Sequence, residues 1–197
     1  MYQKVLKIFS CFSGCTSQQK NNVDKETTVL SPLSLGVEYS ETVPFVPPVK
    51  QGFIVKVYDG DTITLATRLP IVPIEEQPIY RFSVRLNGID TPEIKQICNK
   101  NNEVIKCGVQ AKQLLINKIG KNKVRCVKEG VDRYKRILAE CFVNNQSLSK
   151  YLVREGYAFA YRKYSTKYIP DEDYAKKNKK GMWAMTFEYP WDYRRKN

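Results

Sequence analysis

Histidine is absent from the 197-residue chain. That absence removes Ser-His-Asp and Cys-His catalysis, histidine-zinc sites and every histidine-dependent route to phosphodiester cleavage. Hydrolysis by such a chain has to rest on carboxylates and arginine or lysine, with or without a hard metal ion. Cysteine is sparse and irregular: the six, at positions 11, 15, 98, 107, 126 and 141, form no CxxC pair. A zinc site without histidine would need four thiolates at unusual spacings. The N-terminal apolar run from Val5 to Phe12 is broken by Lys7 and is much too short to span a bilayer as a helix. No internal repeat occurs. Acidic residues are also short, 20 Asp and Glu against 33 Lys and Arg, for a formal net charge of +13.

Most of that charge lies beyond residue 50. Such a basic chain, with 13 Tyr and 8 Phe, attracts polyanions and offers rings for stacking, so nucleic acid is the first partner to consider. A generally basic protein is the plainer reading of the same composition. The length allows one core of ordinary size, and hence one domain with a tail. Residues 1–15, "MYQKVLKIFSCFSGC", have the order of an export signal, and "FSGC" resembles the bacterial lipoprotein processing box, with Cys15 as the lipidated residue. Acylation of Cys11 and Cys15 without cleavage, or a plain amphipathic tail, are the alternatives. Residues 16–50 are rich in Ser, Thr, Asn, Gln and Pro and read as a disordered linker; the globular domain is expected over 51–197.

Within that domain "FIVKVYDGDTITLAT" reads as two strands around a tight turn at Asp59-Gly60. "IYRFSVRLNGI" alternates, placing Phe82, Val84 and Leu86 on one face of a third strand. "GVQAKQLLINKIG" has the helical period and a closing glycine. Two further strands, "NKVRCVKEG" and "RILAECFVN", are joined through "VDRYK". Helices follow at about 147–155 and 171–180. The order predicts an α+β fold: a five-stranded Greek-key barrel of the OB-fold type with about three helices. Fold alone does not give chemistry.

Asp61 follows the first turn and Asp90 ends the third strand, so both carboxylates stand at strand ends. With the Thr91 carbonyl they make an oxygen-only donor set suited to Ca²⁺, or they are two ordinary turn aspartates. Phosphodiester hydrolysis needs a base for the attacking water and cations for the charge growing on phosphorus oxygens. Glu93 fits the first need, and Arg85 and Arg136 the second. Read locally, however, "DTPE" is a helix start, with Thr91 as cap and Pro92 at the first helical position. The segment "GYAFAYRKYSTKY" supplies Tyr161 and Tyr164 for stacking on bases, while Tyr157 and Phe159 are expected in the core. Cys98 with Cys107, and Cys126 with Cys141, are close enough in sequence to form disulfides or to remain free thiols.

Three separated stretches in this order, "VYDGDTITL", "VRLNGIDTPE" and "DRYKRILA", resemble the motifs of the thermonuclease, or staphylococcal-nuclease-like, family. The likeness runs from about Phe53 to Arg195, and the C-terminal part looks especially like the bacterial branch. The resemblance implies Ca²⁺ held by Asp61, Asp90 and the Thr91 carbonyl, with Asp59 supporting them. It implies Glu93 as activator of water, Arg85 and Arg136 on the scissile phosphate, and Tyr134 near the nucleotide. It further implies cleavage of DNA and RNA to 3′-phosphate ends, and disulfides within the two cysteine pairs. A monomer outside the cytoplasm, at a membrane or secreted, is expected. A binding module that has lost the chemistry is the alternative. Lys135 stands where the family commonly has glycine.

Overall fold

The computed structural model describes residues 49–68 and 79–197. The expectations for the N-terminal segment, Cys15 and residues 16–48 lie outside the described residues, as does the stretch 69–78. In chain order the elements are β1 (Val49–Val57), β2 (Thr62–Arg68), β3 (Ile79–Leu86), β4 (Ile89–Asp90), β5 (Cys98–Lys100), β6 (Glu103–Ile105) and α1 (Cys107–Ile119). Then come β7 (Val124–Val131), β8 (Ile137–Val143), β9 (Gln146–Ser147), α2 (Leu148–Arg154), β10 (Phe159–Ala160) and α3 (Ile169–Lys177). A 3₁₀ turn at Gly181–Ala184 and α4 (Pro190–Lys196) complete the chain.

The sheet runs β3-β2-β1-β7-β8, and β8 returns to pair with β3 in parallel, Val84 opposite Ile137 and Leu86 opposite Ala139. That last pairing closes a five-stranded barrel of the OB-fold class. Closure follows from the alternation read in β3: Phe82, Val84 and Leu86 are buried while Arg81 and Ser83 are exposed. Ile63 and Leu65 of β2 and Ala139 and Cys141 of β8 meet them inside. Helix α1 turns Leu115 and Ile119 toward this core, with buried Ala111 one turn before them at the same four-residue spacing. Ser147 caps α2, its side chain accepting from the Lys150 amide. Two tight hairpins turn at Asn101-Asn102 and Asn144-Asn145, where all four residues have positive φ and asparagine carries the least penalty after glycine.

Two details depart from the sequence reading. No helix begins at "DTPE": the Thr91 hydroxyl is committed to Asp61, and the chain turns through Gln96 into the β5–β6 hairpin before α1 starts at Cys107. Among the described residues there are also four α-helices rather than about three; α4 is only seven residues long and has no amphipathic period to announce it. The two disulfides join Cys98 to Cys107 and Cys126 to Cys141. The first seats the β5–β6 hairpin against a second core of Phe159, Met182, Trp183, Phe187, Tyr189 and Trp191.

Candidate active site

The β1–β2 turn builds the first wall. Asp59 Oδ1 accepts from the amides of Asp61 at 2.9 Å and Thr62 at 2.7 Å, which fixes the turn and aims Asp61 inward. Gly60 lets this turn close on Thr91: a Cβ there would lie 2.9 Å from three atoms of the Thr91 side chain. The Asp61 carboxylate is 2% exposed. Its Oδ2 accepts from the Thr91 amide at 3.2 Å and hydroxyl at 3.0 Å. Its Oδ1 accepts from the Thr62 hydroxyl and from Arg85 Nη1.

Arg85 comes from the edge of β3 that faces β2, opposite Thr62 in register. Its second nitrogen, Nη2, donates to Asp90 Oδ1 at 3.0 Å, so one guanidinium bridges the two carboxylates. Asp90 is fully buried, held where β4 pairs with β10, Asp90 opposite Phe159. Burial works against the charge of Arg85, but Asp61 and Asp90 outweigh it and hold the guanidinium above its ordinary range. Burial likewise pushes the Asp61 carboxyl up to about 7; Arg85 opposes that shift, and Asp59 and Asp90 add to it. Four donors and no acceptor surround Asp61, which is the environment of a carboxylate. Above neutral pH the raised carboxyl and this ion pair are therefore compatible.

Arg136 reaches the same place from the β7–β8 hairpin. Asp132 fixes it, accepting from the Arg136 amide at 2.9 Å and from Nε at 2.7 Å. Burial works against the charge of Asp132, but these bonds outweigh it and hold the carboxyl below the usual range. Lys135, in the position where glycine was expected, adopts φ +63°, so the turn keeps a left-handed geometry without glycine. Arg136 Nη1 then donates to the Thr62 hydroxyl at 3.2 Å. A continuous chain runs Arg136, Thr62, Asp61, Arg85, Asp90.

Glu93 stands at the rim, 37% exposed, its amide donating to Gln96 Oε1 at 3.1 Å. Behind it α1 comes unusually close: a Cβ on Gly108 would lie 1.8 Å from the Glu93 carbonyl oxygen. Gly108→Ala should therefore move the Glu93 segment or open the helix start. The expected cost is about 2 kcal/mol or more, read as a fall in the urea midpoint. Gly108 was absent from the sequence-based site, although glycine in a first helical turn, where alanine is the better helix former, is a usable sign of close approach.

Arg194 was also missed. It projects from α4 and donates Nη2 to Asp90 Oδ2 at 2.6 Å and Nη1 to Glu93 Oε1 at 2.8 Å. Tyr134 lies exposed on the Asp132–Arg136 turn, with the guanidinium carbons of Arg133 and Arg136 at 4.8 Å and 5.5 Å from its ring centre. Tyr161 and Tyr164 pack edge to face at 4.9 Å, and Tyr161 stacks on Trp191 at 5.9 Å. The Tyr161 amide donates to the Gly88 carbonyl, which places this pair two residues from Asp90.

The profile of the family described as staphylococcal nuclease homologue matches residues 83–185. A thermonuclease of Staphylococcus hyicus is 30% identical over 138 residues, which cover 66% of this chain and 74% of that protein. The chain belongs to the staphylococcal nuclease homologue family. An uncharacterized endonuclease of Haemophilus influenzae is 31% identical over 133 residues, 66% of this chain and 65% of that protein. A probable staphylococcal-like nuclease of Oryza sativa subsp. japonica is 25% identical over 118 residues, 58% of this chain and 30% of that one. The chain thus spans just under two thirds of the first of these two and less than a third of the second.

The family's metal can be tested against the residues present. Among the described residues no three carboxylate or thiolate side chains converge on one point. The side-chain donors at this place are two buried carboxylates, and the four cysteines among the described residues are committed to disulfides. An oxygen-only set with two buried carboxylates fits a hard divalent ion that completes its shell with water.

Proposed function

We propose that this protein is a nuclease that uses Ca²⁺ to hydrolyse phosphodiester bonds of both DNA and RNA, leaving 3′-phosphate ends. The observation that carries this reading is the single connected cluster in which Arg85 bridges buried Asp61 and Asp90, with Glu93 and Arg136 at its two edges. Asp61, Asp90 and the Thr91 carbonyl would hold the ion. When bound, it supplies positive charge against a phosphate oxygen. Glu93, partly exposed at the rim, takes the proton of the attacking water. Arg85 and Arg136 neutralise charge growing on the phosphorus oxygens. The bond from phosphorus to the 5′ oxygen breaks, that oxygen leaves as a 5′ hydroxyl after taking a proton from solvent, and the phosphate stays on the 3′ side. Tyr134, Tyr161 and Tyr164 offer rings near this point for stacking on bases, which would explain tolerance of sequence and sugar. Incubation with single-stranded DNA and RNA, followed by end labelling, tests the reading; 3′-phosphate ends on both are expected, and binding without cleavage would leave a non-catalytic OB-fold module.

The pH dependence follows from Asp61. Its carboxyl is raised from an ordinary 3.8 to about 7, so the stability of the metal-free protein falls as pH rises between these values, and the Asp61 proton is lost near pH 7. Ca²⁺ must displace it. Affinity for Ca²⁺ should therefore rise roughly tenfold between pH 6 and pH 8, measured by calorimetry.

The two disulfides favour an oxidising compartment, so we place the protein outside the cytoplasm, periplasmic, secreted or tethered by its N-terminus, and acting as a monomer. Thiol titration of denatured, unreduced protein should find no thiol from residues 98, 107, 126 and 141.

A further inference from the structure

Asp90 is 0% exposed, and its oxygens accept only from guanidinium groups among the bonds described. Arg85 donates to Oδ1 from β3, at 3.0 Å. Arg194 takes both oxygens, Nη2 to Oδ2 at 2.6 Å and Nη1 to Oδ1 at 3.2 Å, and with the same Nη1 reaches Glu93 at 2.8 Å. One side chain at the C-terminal end thereby covers both the carboxylate best placed to hold a divalent ion and the carboxylate best placed to act as base.

The way Arg194 is mounted allows it to leave. Helix α4 is seated upstream by buried Pro190 and by Trp191, which stacks on Tyr189 at 4.6 Å and on Tyr161 at 5.9 Å. The Arg194 side chain itself is 39% exposed, so its long stem can swing to water while the helix stays docked. Arg85, by contrast, is 18% exposed and strand-borne. Charge gives the reason to leave: a divalent ion bound to Asp90 would stand within a few ångströms of this guanidinium, and like charges there repel. A bidentate arginine also leaves no oxygen of Asp90 uncommitted. Burial works against the Arg194 charge, but Asp90 and Glu93 outweigh it and hold the group above its ordinary range, so it does not escape repulsion by losing its proton.

We propose that Arg194 is a built-in competitor for the divalent-ion site, occupying Asp90 and Glu93 in the metal-free protein and giving up Asp90 when the ion binds. The side chain then sets the concentration of ion at which the site opens, and Glu93 is released in the same movement. This inference rests on the metal reading given above, and it assigns to the C-terminal helix a control of that site.

Calorimetric titration of Ca²⁺ into the full chain, at pH 8 and without substrate, tests it on the parent, Arg194→Gln and Arg194→Lys, with Asp61→Asn as the blank. The Kd of Arg194→Gln should be about tenfold lower than that of the parent, with Arg194→Lys between them. The thermal midpoint of Arg194→Gln should fall without Ca²⁺ and gain more from added Ca²⁺ than the parent does. Equal or weaker binding by Arg194→Gln overturns the competitor role while leaving the metal reading intact. Absence of binding in the parent and both Arg194 variants overturns the metal reading, and this proposal with it. If Arg194→Gln does not fold, the Lys variant decides: a Kd no lower than the parent's overturns the proposal.

Discussion

Glu93→Gln should lower turnover on DNA by at least ~10²-fold while leaving DNA affinity near that of the parent, the scale expected for loss of a general base. The substitution keeps size and hydrogen-bonding shape but removes the ability to take a proton. Its backbone should hold, since it is fixed by Gln96 and by the close approach of Gly108, and the glutamine oxygen can still accept from Arg194 Nη1, the partner of the carboxylate. A loss confined to kcat supports the assigned role. Equal turnover by parent and variant would remove Glu93 from the chemistry.

Arg85→Gln should show two large effects that respond differently to metal. The guanidinium is the shared partner of Asp61 and Asp90, carboxylates that are 2% and 0% exposed. Removing one member of a buried ionic cluster leaves charge uncompensated, a loss of about 3 kcal/mol in the metal-free protein, moderated here because Arg194 still serves Asp90. Ca²⁺ would restore much of that stability, since the ion supplies the missing positive charge to the same two carboxylates. Activity should stay down by ~10² to 10³ in saturating Ca²⁺, because the ion does not replace a donor to the phosphate. Urea unfolding with and without Ca²⁺, beside a nuclease assay, separates the two. Unchanged stability without Ca²⁺ would mean that the Arg85 bridge carries no load.

What was legible in the sequence tracks how local its cause is. β2, β3 and α1 follow from periodicity, and α2 from Ser147 followed by a short apolar stretch. Helix α4 has none of these: Pro190, two aromatics and three basic residues in a row read as a tail, and its place is decided by packing of Trp191 against Tyr189 and Phe159. At the site, position alone left Asp61 and Asp90 as either a Ca²⁺ donor pair or two turn aspartates. Their meeting is a long-range event, set by β2–β3 register and by the Thr91 bonds to Asp61, and the resemblance of three distant motifs favoured the paired reading over the turn reading. "DTPE" shows the converse failure. Its residues are good helix starters, but the Thr91 hydroxyl gains a buried carboxylate instead of a helix amide, and that tertiary bond wins. Arg194 had no local signal either, since arginine in a last helical turn is explained well enough by the helix dipole. Lys135 is the reverse case, a departure from expectation that left the turn's left-handed geometry in place.

The most direct measurement is digestion of supercoiled plasmid by the purified chain at pH 8, in Ca²⁺ and in EGTA, with the Asp61→Asn, Asp90→Asn double variant alongside. The account predicts cleavage by the parent in Ca²⁺, at least ~10²-fold slower cleavage in EGTA, and none above background for the variant in either. Equal cleavage with and without Ca²⁺, or tight plasmid binding with no cleavage at all, would contradict it.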